Sequence, residues 1–195
     1  MTIDATAHTG TVTYNTEAET ATLHFPAAIP AGTHRLALAF RGVILERLRG
    51  FYRSQKDGAR YASTQFEAAD ARRAFPCFDE PEFKARFGLT LIIPDTVTAV
   101  ANGRIEEEKS ANGRTTLRFA ETPPISSYLV AWCIGPFEAT PVEQTTTGVP
   151  VRVVLPKGMA DKGLFARVAH VRSLTFLVVD TQIPYPYTKV DALSL

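Results

Sequence analysis

Residues 50–67 read GFYRSQKDGARYASTQFE. Two runs rich in aromatic and small residues flank Lys56-Asp57-Gly58, and Asp-Gly favours the positive-φ geometry of a tight hairpin turn. The stretch therefore predicts two antiparallel strands, and the same signature recurs on both sides of it. Upstream, Val12 and Tyr14, a polar turn, then Ala21, Leu23 and Phe25 alternate as a hairpin does. Pro30-Ala31-Gly32 marks a turn, and Leu36, Leu38 and Phe40 alternate on a following predicted strand.

Downstream, RFGLTLIIPD is a mostly apolar strand stopped by Pro94, and Asn102-Gly103 and Asn112-Gly113 are two further turn signals. SSYLVAWCIGPFEA reads as a buried strand ended by Gly135-Pro136, and GVPVRVVLP as another. Then the period changes. Leu164, Val168, Val171, Leu174 and Val178 follow helical spacing, with Asp161 as the expected N-cap and IPYPY as the stop. Val190, Ala192, Leu193 and Leu195 begin a last strand, and the chain is expected to be truncated there, in mid-element. The fold class is thus mainly β with one α-helix near the C-terminus.

A chain of 195 residues can bury a real core. With 21 basic against 20 acidic residues and no basic stripe, nucleic acid is not an expected partner. No apolar run reaches the length of a membrane span, and MTIDATAHTG lacks the basic flank and apolar run of a signal peptide. Cys77 and Cys133 stand far apart and outside any Cys-x-x-Cys pattern, so both are read as buried thiols. A cytoplasmic location fits these features.

Residues two apart on a strand share a face, so Tyr61, Ser63, Gln65 and Glu67 are expected to point one way and Ala62, Thr64 and Phe66 the other. The Gln65–Glu67 pair can hold a cation, the carboxylate supplying charge and the amide oxygen a further acceptor. The ordinary reading of the same pattern is the solvated face of a half-buried strand. Asp79, Glu80 and Glu82 sit among Arg72, Arg73, Lys84 and Arg86 between Pro76 and Pro81, which predicts a salt-bridged corner rather than a pair of acid–base carboxylates. His8, His24, His34 and His170 show no ligand spacing, and there is no His-Glu-x-x-His. From these residues alone, no complete catalytic site is expected on the chain.

The run YASTQFEAADARRAFPCFDEPEFKA (61–85) closely resembles the N-terminal domain of the M1 family of zinc aminopeptidases. GFYRS, TPPISSYLVAWCIGPFE, GVPVRVVLP and IPYPYTKVDALSL extend the likeness in family order from about Gly10 onward. The resemblance implies a saddle-like, mostly antiparallel β domain over residues 1–157, lacking its first strands. Residues 158–195 would be a helix and the start of a strand leading toward a catalytic domain of the same polypeptide. It further implies that Gln65 lines the pocket for the first side chain of a peptide substrate and that Glu67 binds its free α-amine. Zinc would belong to the parent enzyme, and none to this chain, because the family's Gly-Ala-Met-Glu-Asn and His-Glu-x-x-His motifs do not occur in it. The fragment alone would then be inactive. The competing expectation is a non-catalytic β scaffold of the same architecture, in which Gln65 and Glu67 are surface polarity. A sandwich that binds carbohydrate has only the β content in its favour.

Overall fold

The computed structural model describes residues 2–3 and 8–194 of the chain. It divides after Gly42 into two compact units. The first holds β1 (Thr2–Ile3), β2 (His8–Thr9), β3 (Thr11–Asn15), β4 (Thr20–His24) and β5 (Leu36–Ala37). β1 lies between β2 and β5, and β3 and β4 form a hairpin with Val12 opposite Leu23 and Tyr14 opposite Ala21, as the alternation predicts. The strand expected to run from Leu36 to Phe40 is only two residues long.

The second unit begins with β6 (Gly50–Lys56) and β7 (Ala59–Gln65), joined by Asp57 and Gly58 at φ of 51° and 81°. Both residues have positive φ, the condition of a type I′ turn, which suits the twist of the flanking strands. β8 (Thr90–Pro94), β9 (Thr98–Ala101), β10 (Ile105–Ala111), β11 (Arg114–Phe119) and β12 (Trp132–Gly135) follow. They assemble into two antiparallel sheets, one ordered β10-β11-β8 and the other β6-β7-β12-β9. Asn112-Gly113 makes the β10–β11 hairpin. Asn102-Gly103 carries the chain from one sheet to the other instead, because β9 pairs with β12 and β10 with β11. Gly103 is required there: a Cβ would overlap the carbonyl oxygen of Ala120.

The apolar faces of these sheets meet in a core of Ile93, Ala99, Ala101, Leu117 and Phe119. A second core gathers Phe66, Ala71, Ile125 and Val130 beneath the segment that follows β7, and Trp132 packs against both. Burying such side chains contributes roughly 1.5–3 kcal/mol each.

β13 (Phe137–Ala139) and β14 (Glu143–Gln144) pair in turn with the two ends of the long buried β15 (Pro150–Pro156). The helix α1 spans Leu164–Thr181 after a 3₁₀ turn at Ala160–Gly163. Asp161 lies within that turn, and the residue that caps α1 is Gly163, so the N-cap expected at Asp161 is corrected by two positions. Gly163 packs so closely that a Cβ would run into Leu155 and Thr140, and that closeness brings the helix down onto β15. Gln182, at φ 58°, ends α1 in the left-handed conformation. β16 (Val190–Leu193) then pairs with β15 in parallel, Val190 opposite Val151 and Leu193 opposite Val154. The predicted last strand is therefore the second strand of a β-α-β crossover and is anchored; Leu195 lies outside the described residues. Arg152 grips Asp191 across this pair at 2.6 and 3.2 Å, and Lys189 reaches both Asp191 and the Ala101 carbonyl oxygen of β9, 2.8 Å away. Burial would raise the pKa of Asp191, but these two cations hold it below the usual carboxylate range. The fold is mainly β, with antiparallel sheets and one C-terminal α-helix. No described helix is long and apolar enough to cross a membrane.

Candidate functional site

Gln65 ends β7 opposite Gly50, and Glu67 follows in a turn; both side chains are exposed. Between them Phe66 is almost wholly buried, at 1% exposure. Its ring meets Trp132 at 5.4 Å and Phe75 at 5.9 Å, both edge to face, and Phe75 continues the cluster to Phe87 at 6.2 Å. Such pairs add about 0.5–1.5 kcal/mol beyond area burial. Gln65 and Glu67 thus flank, along the chain, a ring that is buried and packed against two others. The peptide bond between Glu67 and Ala68 is cis.

The face read as solvated is only partly so. Tyr61 and Ser63, which share it with Gln65, are buried at 4% and 1% exposure, and only from Gln65 onward does it open to solvent. Tyr61 fits because Gly135 on β12 has no side chain; a Cβ there would overlap the Tyr61 ring. The ladder between β7 and β12 pairs Ala62 and Ser63 with Ile134 and Cys133. Beyond it the Thr64 hydroxyl continues the contact, accepting from Trp132 N at 3.1 Å and lying 3.3 Å from Trp132 O.

The residues after Glu67 form a corner held by buried carboxylates. Asp70, 4% exposed, accepts from Arg49 Nε at 2.8 Å, Arg49 Nη2 at 2.7 Å and Arg73 Nε at 2.7 Å. The Arg49 hydrogen bonds lead in holding its carboxyl below the usual range, Arg73 assists, and both prevail over burial. Asp79, 5% exposed, accepts from the backbone N–H of Arg72 at 3.1 Å, from Arg72 Nε at 3.0 Å and from Ser127 Oγ at 2.6 Å. Ser126 Oγ donates to the Pro81 carbonyl at 2.5 Å, and Ala85 pairs with Ile125 by two backbone bonds of 3.0 Å. The salt-bridged corner predicted from sequence is present, with Asp79 on Arg72. Arg73 turns instead to Asp70, which sequence reasoning passed over. Arg49 lies 21 residues before Asp70, and no local spacing rule links positions so far apart.

Cys77 is half-buried in this corner rather than fully buried. Burial first, and then the charge of Asp79, push its thiol up to about 12, so it is no nucleophile. Burial also raises the Cys133 thiol. Among the described residues no three of His, Cys, Asp or Glu gather where a metal ion could sit. His24 is engaged by Thr13 Oγ1 at 2.7 Å, His34 by the Pro30 carbonyl at 2.8 Å and His170 by the Ala166 carbonyl at 2.7 Å. The described residues do not fit a zinc site. They do offer an exposed carboxylate and an exposed amide two residues apart, groups that can accept from a cation with several N–H donors.

Comparison with known proteins gives this geometry its context. The family described as "Peptidase M1 N-terminal domain" matches residues 2–129. Aminopeptidase M1-D of Oryza sativa subsp. japonica is 40% identical over 184 residues, which are 92% of this chain and 21% of that protein. Puromycin-sensitive aminopeptidase of Caenorhabditis elegans is 36% identical over 93% of this chain and 20% of its own length. Aminopeptidase N of Acetobacter pasteurianus is 35% identical over 95% of this chain and 53% of its own. The chain spans about a fifth of the plant and nematode proteins and about half of the bacterial one. With one family matched over most of its residues and relatives 35–40% identical along nearly all of it, the chain belongs to the peptidase M1 N-terminal domain family.

Proposed function

We propose that this chain is the substrate-recognising N-terminal part of a zinc-dependent aminopeptidase that removes residues from the N-termini of peptides. The observation that carries the reading is the exposed Gln65–Glu67 pair flanking the buried Phe66 in a chain of this family. Glu67 binds the α-ammonium of the substrate, and Gln65 lines the pocket for the first side chain. A carboxylate in a closed pocket overcomes its desolvation only when the ammonium is there to meet it, so a blocked or internal amide is rejected. That selects chain ends.

Zinc and the groups that act on the scissile bond come from sequence outside this chain, which by itself neither holds the metal nor hydrolyses peptides. Residues 158–195, with the crossover from β15 through α1 to β16, lead toward that catalytic domain, its partner in the same polypeptide. The two free thiols suit a reducing compartment, the cytoplasm.

The test is Glu67→Ala in the complete polypeptide, with steady-state kinetics on peptide substrates. Losing a charged hydrogen bond to the amine costs about 1–3 kcal/mol, read as a roughly five- to 150-fold fall in kcat/KM. Kinetics indifferent to that change would remove Glu67 from the substrate site and favour a scaffold.

A further inference from the structure

We infer that Asp70 is the positioning residue of the amine site, holding Glu67 where an ammonium can meet it; the inference rests on the assignment of Glu67 proposed above. Glu67 makes no side-chain hydrogen bond or ion pair among the described residues, so its carboxylate is placed only by its backbone. Glu67, Ala68 and Ala69 are all exposed, and the residues on either side of them, Phe66 and Asp70, are both buried. Phe66 is fixed by its rings. Asp70 is fixed by charge, through Arg49 and Arg73.

These contacts close a circuit around Glu67. The backbone N–H of Asp70 donates to the Phe66 carbonyl at 2.9 Å and shuts the turn. The Asp70 carboxylate takes both Nε and Nη2 of Arg49, a planar two-point grip that sets direction as well as distance. Arg49 is followed directly by Gly50, and Gly50 is the ladder partner of Gln65. The path therefore runs from Gln65 across the sheet to Gly50, back one residue to Arg49, over to Asp70 and home to Phe66. Both candidate recognition residues lie on or inside it. Gly50 is part of the device: its φ is 69°, and a Cβ would come within 3.1 Å of Arg73 Cβ, so the second guanidinium arm passes over bare backbone. A carboxylate that must capture an ammonium gains from a frame set before binding, since no ordering is then left to oppose the contact.

The experiment is a double-mutant cycle in the complete polypeptide, with wild type, Asp70→Asn, Glu67→Ala and the double variant. Two readouts are taken. One is the ratio of inhibition constants for L-leucinol and its des-amino counterpart 4-methylpentan-1-ol, which reports amine recognition alone. The other is the split between KM and kcat on a peptide substrate. Asp70→Asn is expected to shrink the inhibitor ratio about tenfold and raise KM, with kcat within about threefold of wild type. In the double variant the ratio should fall no lower than in Glu67→Ala. If a folded Asp70→Asn keeps the wild-type ratio while Glu67→Ala loses it, Asp70 serves stability only and the inference is overturned. If Glu67→Ala itself leaves the ratio unchanged, the amine-site reading falls, and the inference with it. Should Asp70→Asn fail to fold, Arg49→Lys, which keeps the charge but loses the two-point grip, is judged by the same criteria.

Discussion

The corner after β7 and the helix α1 lie in the same compact unit and are built on opposite plans. In the corner, buried Phe66, Asp70 and Asp79 have their partners in this chain, and rings, guanidiniums and hydroxyls close on one another. In α1 no residue is fully buried. Of its predicted apolar row, Val168, Val171, Leu174 and Val178 are half-buried and Leu164 is exposed, while the other side carries Phe165 at 86%, Phe176 at 64% and Val179 at 59% exposure beside the exposed Arg172. Packing within this chain thus closes the corner on itself and leaves one side of α1 exposed.

Substitutions that separate those two plans differ in size. The largest effect belongs to Phe66→Ala, which empties the centre of the aromatic cluster and should cost about 3–5 kcal/mol in urea unfolding. A cost below about 1 kcal/mol would mean that the corner does not hang on that ring. Next comes Asp79→Ala. It strands the Ser127 hydroxyl and an arginine that is itself 30% exposed, so about 2–3 kcal/mol is expected by the same method.

A smaller effect is read along the pH axis. Because Arg49 and Arg73 lower the pKa of Asp70 in the fold, its contribution is fully present above the unfolded carboxylate value of roughly 3.9. It is lost as pH falls through the lower folded value. Subtracting the Asp70→Asn stability profile from that of wild type isolates this loss, since the similar acid dependence of Asp191 is common to both. A difference flat from pH 6 to pH 2 would contradict the clamp. The smallest change in stability is predicted at the helix. Phe165→Ser combined with Phe176→Ser should move the unfolding free energy by no more than about 0.5 kcal/mol each. The same pair should reduce self-association of the isolated chain in light scattering, because two exposed aromatic side chains are removed. A large loss of stability instead would show that α1 is already packed.

What the residues disclosed in advance divides along physical lines. Asp57-Gly58 and Asn112-Gly113 were legible because a two-residue turn is decided by its own φ angles. Asn102-Gly103 has the same letters and a different role, decided by which sheet each neighbouring strand joins, a matter of contacts far along the chain. The helical row was legible from its period, but its start was not: the close seat of Gly163 on Leu155 and Thr140 outweighs the capping preference of Asp161. The parallel pairing of β16 leaves no local mark at all. At the candidate site, Gln65 and Glu67 were visible as a pair, while the burial of Tyr61 and Ser63 on the same face depended on Gly135 across the sheet. Asp70 was invisible as a clamp because Arg49, its strongest partner, belongs to the preceding strand's approach.

Cys77 gives the corner a clock. Burial and the charge of Asp79 push its thiol up to about 12, which keeps it protonated at pH 8 while the corner stays shut. Each transient opening restores ordinary thiol chemistry for as long as it lasts. The rate at which an alkylating reagent consumes Cys77 is therefore a stopwatch for the loosening of this one locality, and Cys133 on β12 keeps separate time for the sheet beneath.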